Sequence, residues 1–236
     1  MSQPVSRPVH PDHESPWAMQ LVILRNKQDP AQHIEVLEAA GTAVVQLLDD
    51  LRASEPQGAW ADAVAHWRAG WIRKIARRAE NKRWDDVQAL DGVTAASGSA
   101  RVRAFVPGPV DPLPAAIKKL QVRGTELPRL RASVQQHTVV TVEVTPHTEL
   151  TTGKAAAQVG HAAQLAYERL VEQSHAGDAH AHQVLAAWRA DDFRIRVAEP
   201  SVDQWDAADR PVRVLDAGLT EVSGATETAR AYWEGA

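Results

Sequence analysis

Lys154, Gln158 and His161 stand at positions i, i+4 and i+7 of an alanine-rich stretch, ELTTGKAAAQVGHAAQLAYERL (149–170). A helix stacks such positions on one side, which sets an ammonium, an amide and an imidazole in a row. Ala155, Val159, Ala162 and Ala166 follow the same rhythm on another side and are small enough to let a sheet approach closely. Thr151 or Thr152 can cap the first turn through a side-chain oxygen. Lys154 in that turn adds its charge to backbone N–H groups that already favour an anion, a combination suited to a tetrahedral oxyanion or a terminal phosphate. Farther on, VRVLDAGLTEV (212–222) puts Asp216 at the carboxyl end of an expected strand, followed by Gly218 and Thr220. That is where α/β sheets usually build sites. Asp216 could orient or deprotonate a water, or hold Lys154 in place. Plainer readings stand beside these: a solvated helix face for Lys154 and Gln158, a packed or capping His161, and an Asp216 that closes a turn with Gly218.

The elements that must position these residues alternate along the chain. AMQLVILR (18–25) reads as a buried strand, and HIEVLEAAGTAVVQLLDDL (33–51) as a helix interrupted at Gly41. WADAVAHWRAGWIRKIARRAENKRW (60–84) reads as a second helical region broken near Gly70. A strand within SARVRAFVPGPV (99–110) and a short helix at PAAIKKLQ (114–121) complete the first half. The second half restarts in the same way: strand HTVVTVEVT (137–145), the opening helix, helix HAHQVLAAWRADD (180–192), and strands FRIRVAEP (193–200), PVRVLDAG (211–218) and TETARAYW (226–233). WRA recurs in both halves with a Trp-Asp pair downstream, at 67–69 and 84–85 and again at 188–190 and 205–206. The fold class is therefore α/β, a small mixed sheet with helices on both faces, as two related lobes in one chain. The divisions are a Pro- and Ser-rich tail at 1–16, a divergent lobe at 17–127, a linker at 128–136 and a second lobe at 137–236.

Composition bounds the function. The 236 residues, 44% hydrophobic and 24% charged, can build a packed core. Cysteine is absent, which excludes disulfides, thiolate catalysis and cysteine-ligated metal centres. The first residues have no apolar signal region and no run is long enough to span a bilayer, so a cytoplasmic protein with no membrane partner is expected. Net charge is −4, yet residues 66–84 hold seven basic residues against Glu80 alone. On a helix, Arg73, Lys74, Arg77, Arg78, Lys82 and Arg83 would line adjacent faces, with Trp67, Trp71 and Ile75 packed inward. Such a face is either simply solvated or a phosphate-docking surface. His175, His180 and His182 lack an evident carboxylate set and read as a loop rather than a metal site.

The run TGKAAAQVGHAA (152–163) after a strand, with VRVLDAGLTEV late in the chain, resembles the type 2 peptidyl-tRNA hydrolase family. Gly153, Lys154, Gln158, His161 and Ala162 match its first motif; Asp216, Ala217, Gly218 and Thr220 match its second; Thr152 stands where the family usually has a further lysine. The resemblance covers about residues 137–236. It implies a small α/β fold that cleaves the ester between a peptide and the 3′ ribose of tRNA with no metal or organic cofactor. Lys154, Asp216 and Thr220 would form the catalytic group, and Gly153, Gln158, His161 and Gly218 would bind substrate. The first lobe, lacking both motifs, would be non-catalytic; its basic stretch could grip tRNA, and the two lobes could pack like a dimer within one chain. The alternative is a catalytically silent protein of the same fold that binds tRNA or a translation partner.

Overall fold

The structure is a computed structural model that describes residues 16–133, 135–216 and 226–235. The first lobe runs β1 (Trp17–Leu24), α1 (His33–Asp49), α2 (Leu51–Ser54), α3 (Ala59–Ala69), β2 (Arg73–Ala79), α4 (Lys82–Gln88), β3 (Gly92–Ser97), β4 (Ala100–Phe105), β5 (Gly108–Pro109) and α5 (Ala115–Lys118). The second runs β6 (Val140–Val144), α6 (Thr152–His175), α7 (Ala179–Ala190), β7 (Ile195–Ala198), α8 (Val202–Ala207), β8 (Val212–Asp216) and β9 (Thr226–Trp233). Local chemistry sets the helix starts. Gln32 and Glu35 form a capping box on α1, Thr151 accepts from the Lys154 N–H on α6, and Asp178 accepts from His180 and Ala181 on α7.

The two sheets have one topology. Strand order is β2-β1-β4-β3 in the first, with β5 also beside β1, and β7-β6-β9-β8 in the second. In each, the first strand pairs parallel with the second and antiparallel with the last. Register matches as well: Met19 faces Lys74 as Val140 faces Ile195. Side chains repeat their roles. The indole of Trp67 donates to Arg73 O at 3.2 Å, and that of Trp188 to Arg194 O at 2.9 Å. Arg103 donates to Leu90 O just beyond α4, and Arg230 donates to Trp205 O and Ala208 O at the end of α8.

Helices α1 and α6 lie side by side in one layer between the sheets, so each touches both lobes and the main core is continuous across them. Small residues permit this. A Cβ on Gly41 would stand 2.2 Å from Ile195 Cδ1, and one on Gly160 would stand 3.1 Å from Val44 Cγ2. On the outer face of the first sheet, Val22, Val87, Phe105, Ile117 and Leu120 form a second small cluster.

Two expectations are corrected, and one strand is added. Helix α1 passes through Gly41 without a break, because the close approach of Ile195 leaves no room for a side chain and packing outweighs glycine's low helix propensity. The second helical region ends at Gly70, and residues 73–79 are instead a strand paired with β1 over its whole length. Strand β3, GVTAAS, was not expected; its small residues give little pattern, and pairing with β4 defines it. Among the described residues, no helix is long and apolar enough to cross a membrane.

Candidate active site

The α6 N-terminus and the end of β8 bring together the two segments singled out in the sequence. Lys154 Nζ lies 3.3 Å from Asp216 Oδ2, and both side chains are about nine-tenths buried. Gln158, one turn along, donates from Nε2 to the same oxygen at 3.0 Å. The acceptor-only carboxylate sets the orientation of this amide, and the Thr228 hydroxyl on β9 completes it by donating to Gln158 Oε1 at 3.0 Å. Thr228 is fully buried where β9 is irregular opposite Val214 and Leu215. The result is an ammonium in the first turn of a 24-residue helix, held by a carboxylate that a buried amide and hydroxyl keep in place. That arrangement can present a cation and a carboxylate oxygen to one reacting carbonyl.

Two other expected site residues, His161 and Gly153, have different neighbours. His161 stays on the same side of α6, but seven residues carry it about 10 Å along the axis. There its Nδ1 meets Lys74 Nζ of β2 at 3.4 Å, and it does not join the Lys154 cluster. Gly153 packs under the connecting segment, donating to Thr125 O at 3.3 Å and facing Thr125 and Ala76 rather than an open site. Thr152 is fully buried; its hydroxyl lies 2.8 Å from His33 Nδ1 and accepts from Leu127 N. Gly218 and Thr220 fall outside the described residues.

The basic residues divide, because a strand sends alternate side chains to opposite sides; Arg78, Lys82 and Arg83 line one cleft of about 360 Å³ with Glu80. Lys74 and Arg77 are buried. Arg77 donates to Gln20 Oε1 at 2.8 Å and Leu120 O at 3.2 Å, and Arg78 donates to Gly124 O and Gln121. Arg73, half-buried, leans toward Trp71, which is half-exposed rather than packed inward. Only Lys82 and Arg83, on α4, are exposed. His180 and His182 are held by Glu234 O and Ser174, and no cluster of metal-binding side chains occurs among the described residues.

Lys74 anchors a buried ladder that sequence reasoning missed. Its ammonium donates to Gln164 Oε1, Gln164 donates to Glu168 Oε1 at 3.0 Å, and Arg68 donates to the same oxygen at 2.8 Å. The Trp67 ring lies 4.9 Å from Nζ. Burial lowers the Lys74 pKa to about 7, with Arg68 adding to the fall and Glu168 opposing it. Burial, and then the nearby Lys74 charge, hold the His161 imidazole well below its usual range. The available signal was a lysine at an alternating position of a strand and polar residues at 161, 164 and 168 on one helix side.

The corresponding place in the first lobe is filled. Ser97 ends β3 as Asp216 ends β8, and its hydroxyl donates to Glu38 Oε2 at 2.7 Å. Ser133 and Gln135 of the connecting segment add hydrogen bonds to Glu38 and Ser97, and Val197 N donates to Glu38 Oε1 at 3.3 Å. Burial raises the Glu38 pKa. Comparison with known proteins returns no matching family model, no matching curated protein and no matching solved structure.

Proposed function

We propose that this chain hydrolyses the ester joining a peptide, or an N-acylated amino acid, to the 3′ ribose of tRNA, and that the second lobe carries the reaction. One observation supports the reading above the rest. The two separated motifs of the family resemblance meet at Asp216, whose Oδ2 lies 3.3 Å from Lys154 Nζ and 3.0 Å from Gln158 Nε2. In the proposed reaction, water attacks the acyl carbon, the Lys154 ammonium stabilises the oxygen that becomes negative, and Asp216 orients the water and receives its proton. Collapse of the tetrahedral intermediate breaks the bond to the ribose oxygen, which leaves with the proton. Gln158 and Thr228 act through Asp216 as positioning residues. The shared strand order supports a related proposal, that the lobes pack as the two halves of a dimer fused in one chain, the first no longer catalytic.

The test is release of labelled N-acyl-amino acid from N-acyl-aminoacyl-tRNA, in EDTA, by wild type, Lys154→Met and Asp216→Asn. Both variants are expected to lose at least about a hundredfold, the scale of a lost oxyanion donor or general base. A folded wild type with no turnover, or variants as active as wild type, would refute the proposal.

A further inference from the structure

Apart from the basic stretch at 66–84, four arginines far from it in sequence converge in a cleft of their own. A cleft of about 680 Å³ opens between the connecting segment and β7, and Arg129, Arg131, Arg196 and Arg210 line it with Glu143 and Glu199. The two carboxylates are already matched. Glu143 accepts from Arg210 Nη2 at 2.6 Å and Nε at 3.1 Å, with Arg230 Nε 3.6 Å away. Glu199 accepts from Arg129 Nη1 at 3.2 Å. Arg131 and Arg196 are exposed, and neither side chain makes an ion pair or hydrogen bond among the described residues. The lining therefore keeps two uncompensated guanidinium groups, whose planar forks suit phosphate oxygens.

One edge of the cleft reaches the start of α6, the helix that carries Lys154. Arg129 Nη2 donates to Leu150 O at 2.6 Å, immediately before the Thr151 cap of α6. Glu199 lies 3.7 Å from His33 Nε2, whose other ring nitrogen meets Thr152. The corresponding outer face of the first lobe differs: Val22 and Ile75 occupy the register positions of Glu143 and Arg196, and apolar packing covers Val22. The acidic side chains Asp203 and Asp206 on α8 do not line the cleft.

We infer that this cleft binds the phosphodiester backbone of the tRNA substrate, with Arg131 and Arg196 as its phosphate contacts. The inference rests on the tRNA reading above but not on catalysis. The test is binding of deacylated tRNA to the full chain across a salt series, for wild type, an Arg131→Ala/Arg196→Ala double variant and a Lys82→Ala/Arg83→Ala double variant. The cleft variant is expected to bind about tenfold more weakly near 0.15 M salt. Its slope of log affinity against log salt should fall by roughly 1.4–1.8, because each neutralised phosphate contributes about 0.7–0.9. The α4 variant should match wild type. Unchanged affinity and slope in the cleft variant overturn the inference, as does pyrophosphate binding in the cleft without tRNA binding. The two proposals fail separately: cleft-dependent tRNA binding without ester turnover removes only the hydrolase, and turnover with cleft-independent binding removes only the cleft.

Discussion

Replacing Lys74 by methionine should change the pH dependence of stability. The ammonium is fully enclosed between β2 and α6, facing Gln164, His161, Glu168 and Arg68, and burial brings its pKa from 10.5 to about 7. The unfolded chain keeps the Lys74 proton up to the ordinary value, whereas the folded chain releases it near 7. Between those values the unfolded state binds more protons, so stability rises with pH; it is lost as pH falls through the interval and is flat below it. Each pH unit is worth about 1.4 kcal/mol, so the full interval amounts to roughly 4–5 kcal/mol. Methionine keeps the apolar stem and removes the titration. Urea unfolding from pH 6 to pH 10 should therefore show wild type gaining on Lys74→Met by about 1 kcal/mol per pH unit above pH 7. Parallel profiles for the two proteins would refute the reasoning and mean that Lys74 stays charged in the folded state.

Further outcomes follow from other contacts. His33, buried beside Thr152 and Arg129, should titrate near 4 by NMR, and its contribution to stability should be lost as pH falls from 6.5 to about 4, where the unfolded chain binds the proton and the folded chain does not; titration at 6.5 in the folded protein would contradict its burial. Gly41→Val should destabilise by about 1–3 kcal/mol through overpacking, since even a Cβ there meets the buried Ile195 at 2.2 Å. Gly108→Ala, whose Cβ meets nothing within 4 Å, should stay within about 0.5 kcal/mol; equal losses in the two variants by urea unfolding would reject the close-packed seam.

The sequence made legible what depends on local periodicity. The α6 stretch, the strands around Val142 and Val214, and the repeated WRA segment all have short-range patterns, and the lobes follow them. The strand at Arg73–Ala79 was hidden because Trp67, Trp71 and Ile75 fall at helical spacing although Gly70 separates them into two elements. Lys154 and Asp216 were legible as a pair through their motifs, but Thr228 was not, since a lone threonine in a strand has no pattern to mark it. Likewise, the separation of His161 from Lys154 depends on β2 packing across α6, a tertiary contact that periodicity within one helix does not contain.

The most direct measurement for the proposed reaction is to incubate the wild-type chain with N-acyl-aminoacyl-tRNA in H2(18)O and weigh both products. Hydrolysis at the ester requires one heavy oxygen in the carboxylate of the released N-acyl-amino acid, and an unlabelled tRNA ending in a free 3′ hydroxyl. Label at the RNA end with the acyl group still attached to a nucleotide, or no release at all from folded protein, would contradict it.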